Sequence, residues 1–261
     1  MGLIGRRFAT LVIGWACASA CSSGKPKVIE DAKRVTPAHA DAAISHEPSA
    51  PPGVGVGDVQ VRVEWIDVPP EVRRSPGRTP CNTPRRPSVQ PSTTWGIGEV
   101  VVLVDGDPTP LGEATVRIVE CAPTPRIAIG TSLVIESSMP QPVKLSLAKR
   151  GELPAVDRLE PGSPRTIMLP IAGHSVAAEL DANAIYELAT DAGAPETAWL
   201  ITGRAAITDV NGTVLIRDVP TGVHAVTAWL PPRGGQPARQ AIGQVTVVAD
   251  DLAELTLKLT P

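Results

Sequence analysis

Proline stands at 28 of 261 positions and is scattered along the whole chain, which limits the fold more than any other feature. Each internal proline removes a helix hydrogen bond and clashes with the preceding turn, so long helices are excluded and an all-β chain is expected. Hydrophobic residues make up 43% of the sequence, yet there is only one Phe and one Tyr. The core must therefore be built from Val, Ile, Leu, Ala and a few Trp, with enough material for one large or two small cores. The formal charge of −3 is spread without a basic stripe, which excludes nucleic acid as a partner.

Behind Arg6 and Arg7, residues 8–20 read FATLVIGWACASA. This run of about 13 residues is too short for a bilayer span, which takes about 20, and has the form of a signal-peptide core. Ala18, Ser19 and Ala20 stand directly ahead of Cys21, followed by Ser22, Ser23 and Gly24. These residues resemble the bacterial lipoprotein cleavage box, although Ala18 occupies the place of its usual Leu. The resemblance implies that residues 1–20 are removed, that Cys21 becomes the lipidated first residue, and that Ser22 after it favours the outer membrane. The other reading is ordinary cleavage after Ala-Ser-Ala with Cys21 left free. The Arg6-Arg7 pair also fits twin-arginine export, though its surroundings match that signal poorly.

Loss of the two N-terminal arginines takes the charge from −3 to −5. Residues 21–57 are then mostly Ser, Gly, Lys, Pro, Ala and His without periodicity. Such a segment buries too little apolar surface to offset its ordering entropy, so it is expected to be a disordered tether holding a folded body off the membrane. His39 and His46 fall within it as solvated linker residues rather than a metal tag.

The body opens with DVQVRVEWIDV, residues 58–68, where Val59, Val61, Val63 and Trp65 alternate with polar neighbours. Period two marks a half-buried strand. The stretch PPEVRRSPGRTPCNTPRRPSVQPSTTW has no period and is expected to be a long loop. Its arginines are either solvated or able to bind an anion such as a lipid phosphate. Short β-branched runs follow at 98–106, 114–121, 125–130, 131–138 and 141–149, separated by Gly, Pro and Asp at about ten-residue intervals. That spacing predicts a β-sandwich.

Two of the four cysteines, Cys81 and Cys121, lie in the body. In an oxidising compartment their simplest fate is a disulfide. Closing a loop of about 40 residues, it contributes about 4 kcal/mol on the chain-entropy estimate. The rival reading is a thiolate metal ligand.

The most chemical-looking segment is TDVNGTVLIRDVPTG, with Asp209, Asn211 and Asp218 close together. The Asn211-Gly212 pair between two apolar runs is a hairpin signal, and Val219-Pro220-Thr221-Gly222 supplies a second turn. The strand after it should place His224, Val226 and Ala228 on one face and Ala225, Thr227 and Trp229 on the other. A calcium loop needs further oxygen ligands at regular spacing, so the acids are read as turn residues.

At this point residues 198–259 resemble the carboxypeptidase regulatory-like domains, transthyretin-like β-sandwich modules of exported bacterial proteins. Thr208, Asp209, Gly212, Val219, Pro220, Gly222, Ala228 and Trp229 carry the match, and His224 stands where Tyr is usual. The upstream strand order and the Cys-x-x-x-Pro-Arg motif resemble, more weakly, a cupredoxin-like domain. Together the resemblances imply two packed β-sandwich domains, cupredoxin-like over 58–192 and regulatory-like over 193–261, with the boundary near Gly193. The copper ligands of the cupredoxin relatives have no counterparts here. Pro142 takes the place of a ligand histidine, the later loop at 186–200 lacks Cys, His and Met, and His174 and His224 are the only body histidines. A blue-copper centre needs two His and a Cys converging, so neither a metal nor any other cofactor is expected.

No Gly-x-Ser-x-Gly, HExxH or phosphate-loop motif occurs. Asp191 and Glu196 flank a Gly-Pro loop and read as solvated rather than as an acid–base pair. No catalytic residues are expected. The expected function is a non-catalytic envelope lipoprotein for binding, adhesion or assembly, with the membrane and an unidentified protein or glycan as partners. The alternative is a cupredoxin-type copper or electron-transfer protein.

Overall fold

A computed structural model of the chain describes residues 55–191 and 196–260. The signal segment 1–20, Cys21, nearly all of the tether and Gly193 lie outside the described residues. In chain order the strands are β1 (Val56–Glu64), β2 (Val101–Val104), β3 (Glu113–Val119), β4 (Ala122–Thr124), β5 (Ile127–Ile129), β6 (Ser132–Ser137), β7 (Val143–Glu152) and β8 (Arg165–Leu169). They continue as β9 (Ser175–Glu179), β10 (Ala184–Thr190), β11 (Thr197–Ile201), β12 (Ala206–Ile207), β13 (Thr213–Pro220), β14 (Gly222–Leu230), β15 (Arg239–Val247) and β16 (Leu252–Lys258). A single helical turn, α1 (Pro70–Arg73), interrupts them. The protein is all-β, and no helix among the described residues is long and apolar enough to cross a membrane.

Four sheets form, with strand orders β13-β1-β16, β12-β2-β14-β15, β5-β11-β10-β7-β8 and β4-β3-β6-β9. The first two enclose one core, which includes Val59, Val61 and Val63 of β1 against Val226 and Ala228 of β14. The last two enclose another, with Val116, Leu133 and Ile135 against Leu145, Leu147 and Leu188. A third apolar cluster joins the two middle sheets. Strand alternation explains how one strand serves two cores. In β2, Val102 and Val104 enter the first core while Val101 and Leu103 face the junction. In β11, Ala198 and Leu200 enter the second core while Trp199 and Ile201 face the junction. Strands apolar on both faces therefore sit in the inner layers, and a half-polar strand such as β1 sits outside.

Strand pairing runs across the expected division at Gly193. β1 lies between β13 and β16, antiparallel to one and parallel to the other. β2 pairs with β12 and β14, while β11, which carries Trp199, pairs with β10 and β5. One sandwich is therefore discontinuous, built from 56–104 and 206–258, and the strands of the other run from 113 to 201. The physical reason lies in the outer sheet, where β13 and β16 share no ladder and only β1 satisfies the backbone groups of both.

The Asn211-Gly212 turn forms and is closed by Asp209 N–H donating to Thr213 O at 2.9 Å, but it does not continue into the expected hairpin of paired strands. Gly212 N–H donates to Asp209 O at 3.0 Å, and Gly212 takes φ +80, where a Cβ would meet Ile97 N at 2.4 Å. Asp at the first and Gly at the fourth position suit a type I turn. The flanking strands then separate, β12 to the sheet of β2 and β13 to that of β1. The turn is an arch between two layers, because Ile216 and Val219 of β13 reach the first core from the outer sheet.

Cys81 and Cys121 lie at disulfide distance, with S–S 1.97 Å and Cα–Cα 5.7 Å. Val72 and Val89, buried in the first core, pin the same aperiodic stretch elsewhere. It is therefore a fixed strap, held to the first sandwich on either side of Cys81 and tied at its middle to the second.

Candidate functional site

The strap delivers Arg85 and Arg86 to the junction of the sandwiches. Arg126, between β4 and β5, and Arg233, after β14, approach from the two bodies. Two carboxylates meet them: Glu99 ahead of β2 and Glu196 ahead of β11. Arg233 donates from Nη1 to Glu99 Oε2 and from Nη2 to Glu99 O, each at 2.8 Å. Arg85 pairs with Glu196 at 3.1 Å and donates from Nε to Arg78 O at 2.9 Å. Arg126 donates to Pro87 O at 2.7 Å, fixing the strap. Arg126 and Arg86 each reach Glu99 only at 3.9 Å, beyond hydrogen-bond distance.

Burial differs among these cations. The Arg233 side chain is 9% exposed and that of Arg126 13%, whereas Arg86 is 58% exposed. Burial pushes the Arg233 guanidinium down to about 10, partly offset by Glu99. Burial also lowers Arg126, with Glu99 opposing and the Arg86 charge adding to the fall. Both stay cationic at neutral pH. Four guanidinium groups thus share two carboxylates. Arg86, Arg126, Arg233, Ser88 and Asn211 are among the residues lining a groove of about 600 Å³. A neighbouring cleft of about 550 Å³ runs along Arg85, Thr197, Arg233 and Gln236.

Apart from Asn211, which lines the groove, the residues singled out by sequence fall elsewhere, with two exceptions. The Asp209 carboxylate accepts from the N–H groups of Asn211 and Thr213, each at 2.9 Å. The Thr213 amide first, and then Asn211, hold its carboxyl below the usual carboxylate range. Asp209 is a turn residue, and the N–H of Asp218 reaches Asp58 Oδ1 at 3.3 Å. His224 sets Nδ1 against Asp105 O at 2.6 Å and Nε2 against Pro220 O at 2.7 Å, so it ties two turns together. His174 is exposed in the turn between β8 and β9. Asp191 pairs with Lys144 at 2.6 Å, whereas Glu196 pairs with Arg85 at the junction, so these two carboxylates serve different cations. The second exception is the Arg85-Arg86 pair; Arg73, Arg74 and Arg78 do not line the groove. Among the described residues no three His, Cys, Asp or Glu side chains converge as a metal site.

Arg233 and Glu99 escaped sequence reasoning, and Arg126 entered it only as the Arg of the Cys-x-x-x-Pro-Arg motif. Each is a lone charge beside Pro or Gly in a turn, and only the packing of the two sandwiches brings them together. The one usable signal was the arginine-rich strap. The chain matches no protein-family model, no curated protein and no solved structure, so the functional reading rests on its own residues.

Proposed function

We propose that the chain is a non-catalytic lipoprotein of the cell envelope, anchored through Cys21 and presenting a β-sandwich body that binds a partner. The observation that carries this reading is the sequence Ala18-Ser19-Ala20-Cys21 behind a short apolar run. The all-β body supports it. The acids Glu99, Glu187 and Glu196 around the junction are paired with Arg233, Arg150 and Arg85, which favours recognition over acid–base chemistry. The copper-binding alternative gains less support. Cys121 lies at disulfide distance from Cys81, and both ring nitrogens of His224 face carbonyl oxygens.

Membrane fractionation tests the anchor. Cys21→Ala should move the protein from the membrane to the soluble fraction, and continued full membrane association of the variant would refute the reading.

A further inference from the structure

We propose that the groove at the sandwich junction binds a phosphomonoester, gripped by Arg86, Arg126 and Arg233. This deepens the binding role proposed above but does not require the anchor. Charge balance is the first support. Among the described residues lining the groove, Arg86, Arg126 and Arg233 face one carboxylate, that of Glu99, which leaves two positive charges uncompensated. Holding desolvated cations without counter-charge is unfavourable. A phosphomonoester carries about −1.5 to −2 at neutral pH, which matches that excess, whereas a monocarboxylate would neutralise half of it.

Donor geometry is the second. A guanidinium offers five N–H donors in a planar fork suited to phosphate oxygens. Glu99 already holds Arg233 in place through two 2.8 Å bonds, and the Pro87 carbonyl holds Arg126. Both forks are thus oriented before any ligand arrives. Arg86, with no hydrogen bond among the described residues and Glu99 only at 3.9 Å, is the mobile arm. The buried Ser88 and the exposed Asn211 add neutral polar groups at the rim. At about 600 Å³ the groove is larger than a phosphate group alone, so the ligand carries a polar body such as a sugar or a glycerol.

Calorimetric titration of the full chain bearing Cys21→Ala tests this, using inorganic phosphate, glucose 6-phosphate and acetate as soluble probes. Phosphatidylcholine vesicles with and without phosphatidic acid supply the lipid arm. We expect saturable binding of at least one phosphate probe, at least tenfold tighter than acetate. Arg86→Gln should weaken it at least tenfold with an unchanged melting temperature, Arg126→Gln should weaken it further, and Arg117→Gln, on a separate surface ion pair with Glu136, should bind as wild type. Binding of glucose 6-phosphate identifies a soluble ester, and binding confined to phosphatidic acid vesicles identifies a lipid headgroup. No saturable binding by any phosphate probe, acetate binding of equal strength, or wild-type affinity in Arg86→Gln overturns the proposal. Such a failure alongside release of Cys21→Ala from membranes would remove the ligand and leave the anchor standing.

Discussion

Where the inner sheets meet, Trp199 and Trp229 cross edge to face with ring centroids 5.6 Å apart, walled by Val101, Ile127 and Ile185. Where the same sandwiches meet at the cleft, Arg126 and Arg233 stand over Glu99 instead. Two bonds link the two regions among the described residues, from Trp199 N–H to Arg126 O at 2.8 Å and from Trp199 Nε1–H to Pro232 O at 3.1 Å, next to Arg233. The seam gains from removing apolar surface from water, which needs no particular partner geometry. The cleft keeps desolvated charges, whose net value depends on every partner being present. One region holds the body together, and the other spends stability on a charged surface.

The largest effect should come from the seam. Trp229 is fully buried, and Trp229→Ala should cost about 3–5 kcal/mol in urea unfolding, the range for large buried aromatics. A loss under about 1 kcal/mol would break the comparison, since the seam would then not be what joins the sandwiches.

Next comes the strap. Replacing both Cys81 and Cys121 with Ser should cost about 2–4 kcal/mol in the same measurement. Limited proteolysis should then cut within 74–96 first, while the near-ultraviolet circular dichroism of the Trp199–Trp229 pair persists. Simultaneous loss of that signal would show that seam and cleft are one cooperative unit.

The smallest effect is the most discriminating because its sign differs between neighbours. Glu99→Gln leaves Arg233 buried without its carboxylate and should cost about 1–3 kcal/mol. Arg86→Gln removes a surplus cation and should change stability by no more than about 0.5 kcal/mol, with a gain more natural than a loss. Equal losses would mean that the cleft is a balanced ion-pair network with no excess charge.

The all-β architecture was legible in the sequence because proline placement and period-two valines depend only on the local chain. The same holds for most strands, for the Asp209 turn and for the Cys81–Cys121 pairing. Strand partnership was not legible. Val59, Val61 and Val63 announce an apolar face but carry no mark of which strands flank β1, and those prove to be β13 and β16. The Asn211-Gly212 pair likewise predicted a turn correctly and a hairpin wrongly, since a tight turn fixes direction and not the sheet each arm joins. The cleft was half visible. The Arg85-Arg86 pair lies in an arginine-rich run, but Glu99, Arg126 and Arg233 are single charges that tertiary packing alone assembles.

The place of β1 also sets an order in time. It is the central strand of its sheet, and both neighbours are made more than a hundred residues later. During synthesis this strand waits without a ladder partner until β13 has emerged, and without its second until β16 has. Pairings of such long sequence separation are slow to form because their loop-closure entropy must be met first. The strands between 113 and 201, by contrast, have all their ladder partners within that stretch. The inner insert is therefore complete before its host, and the host sandwich closes around a body already folded.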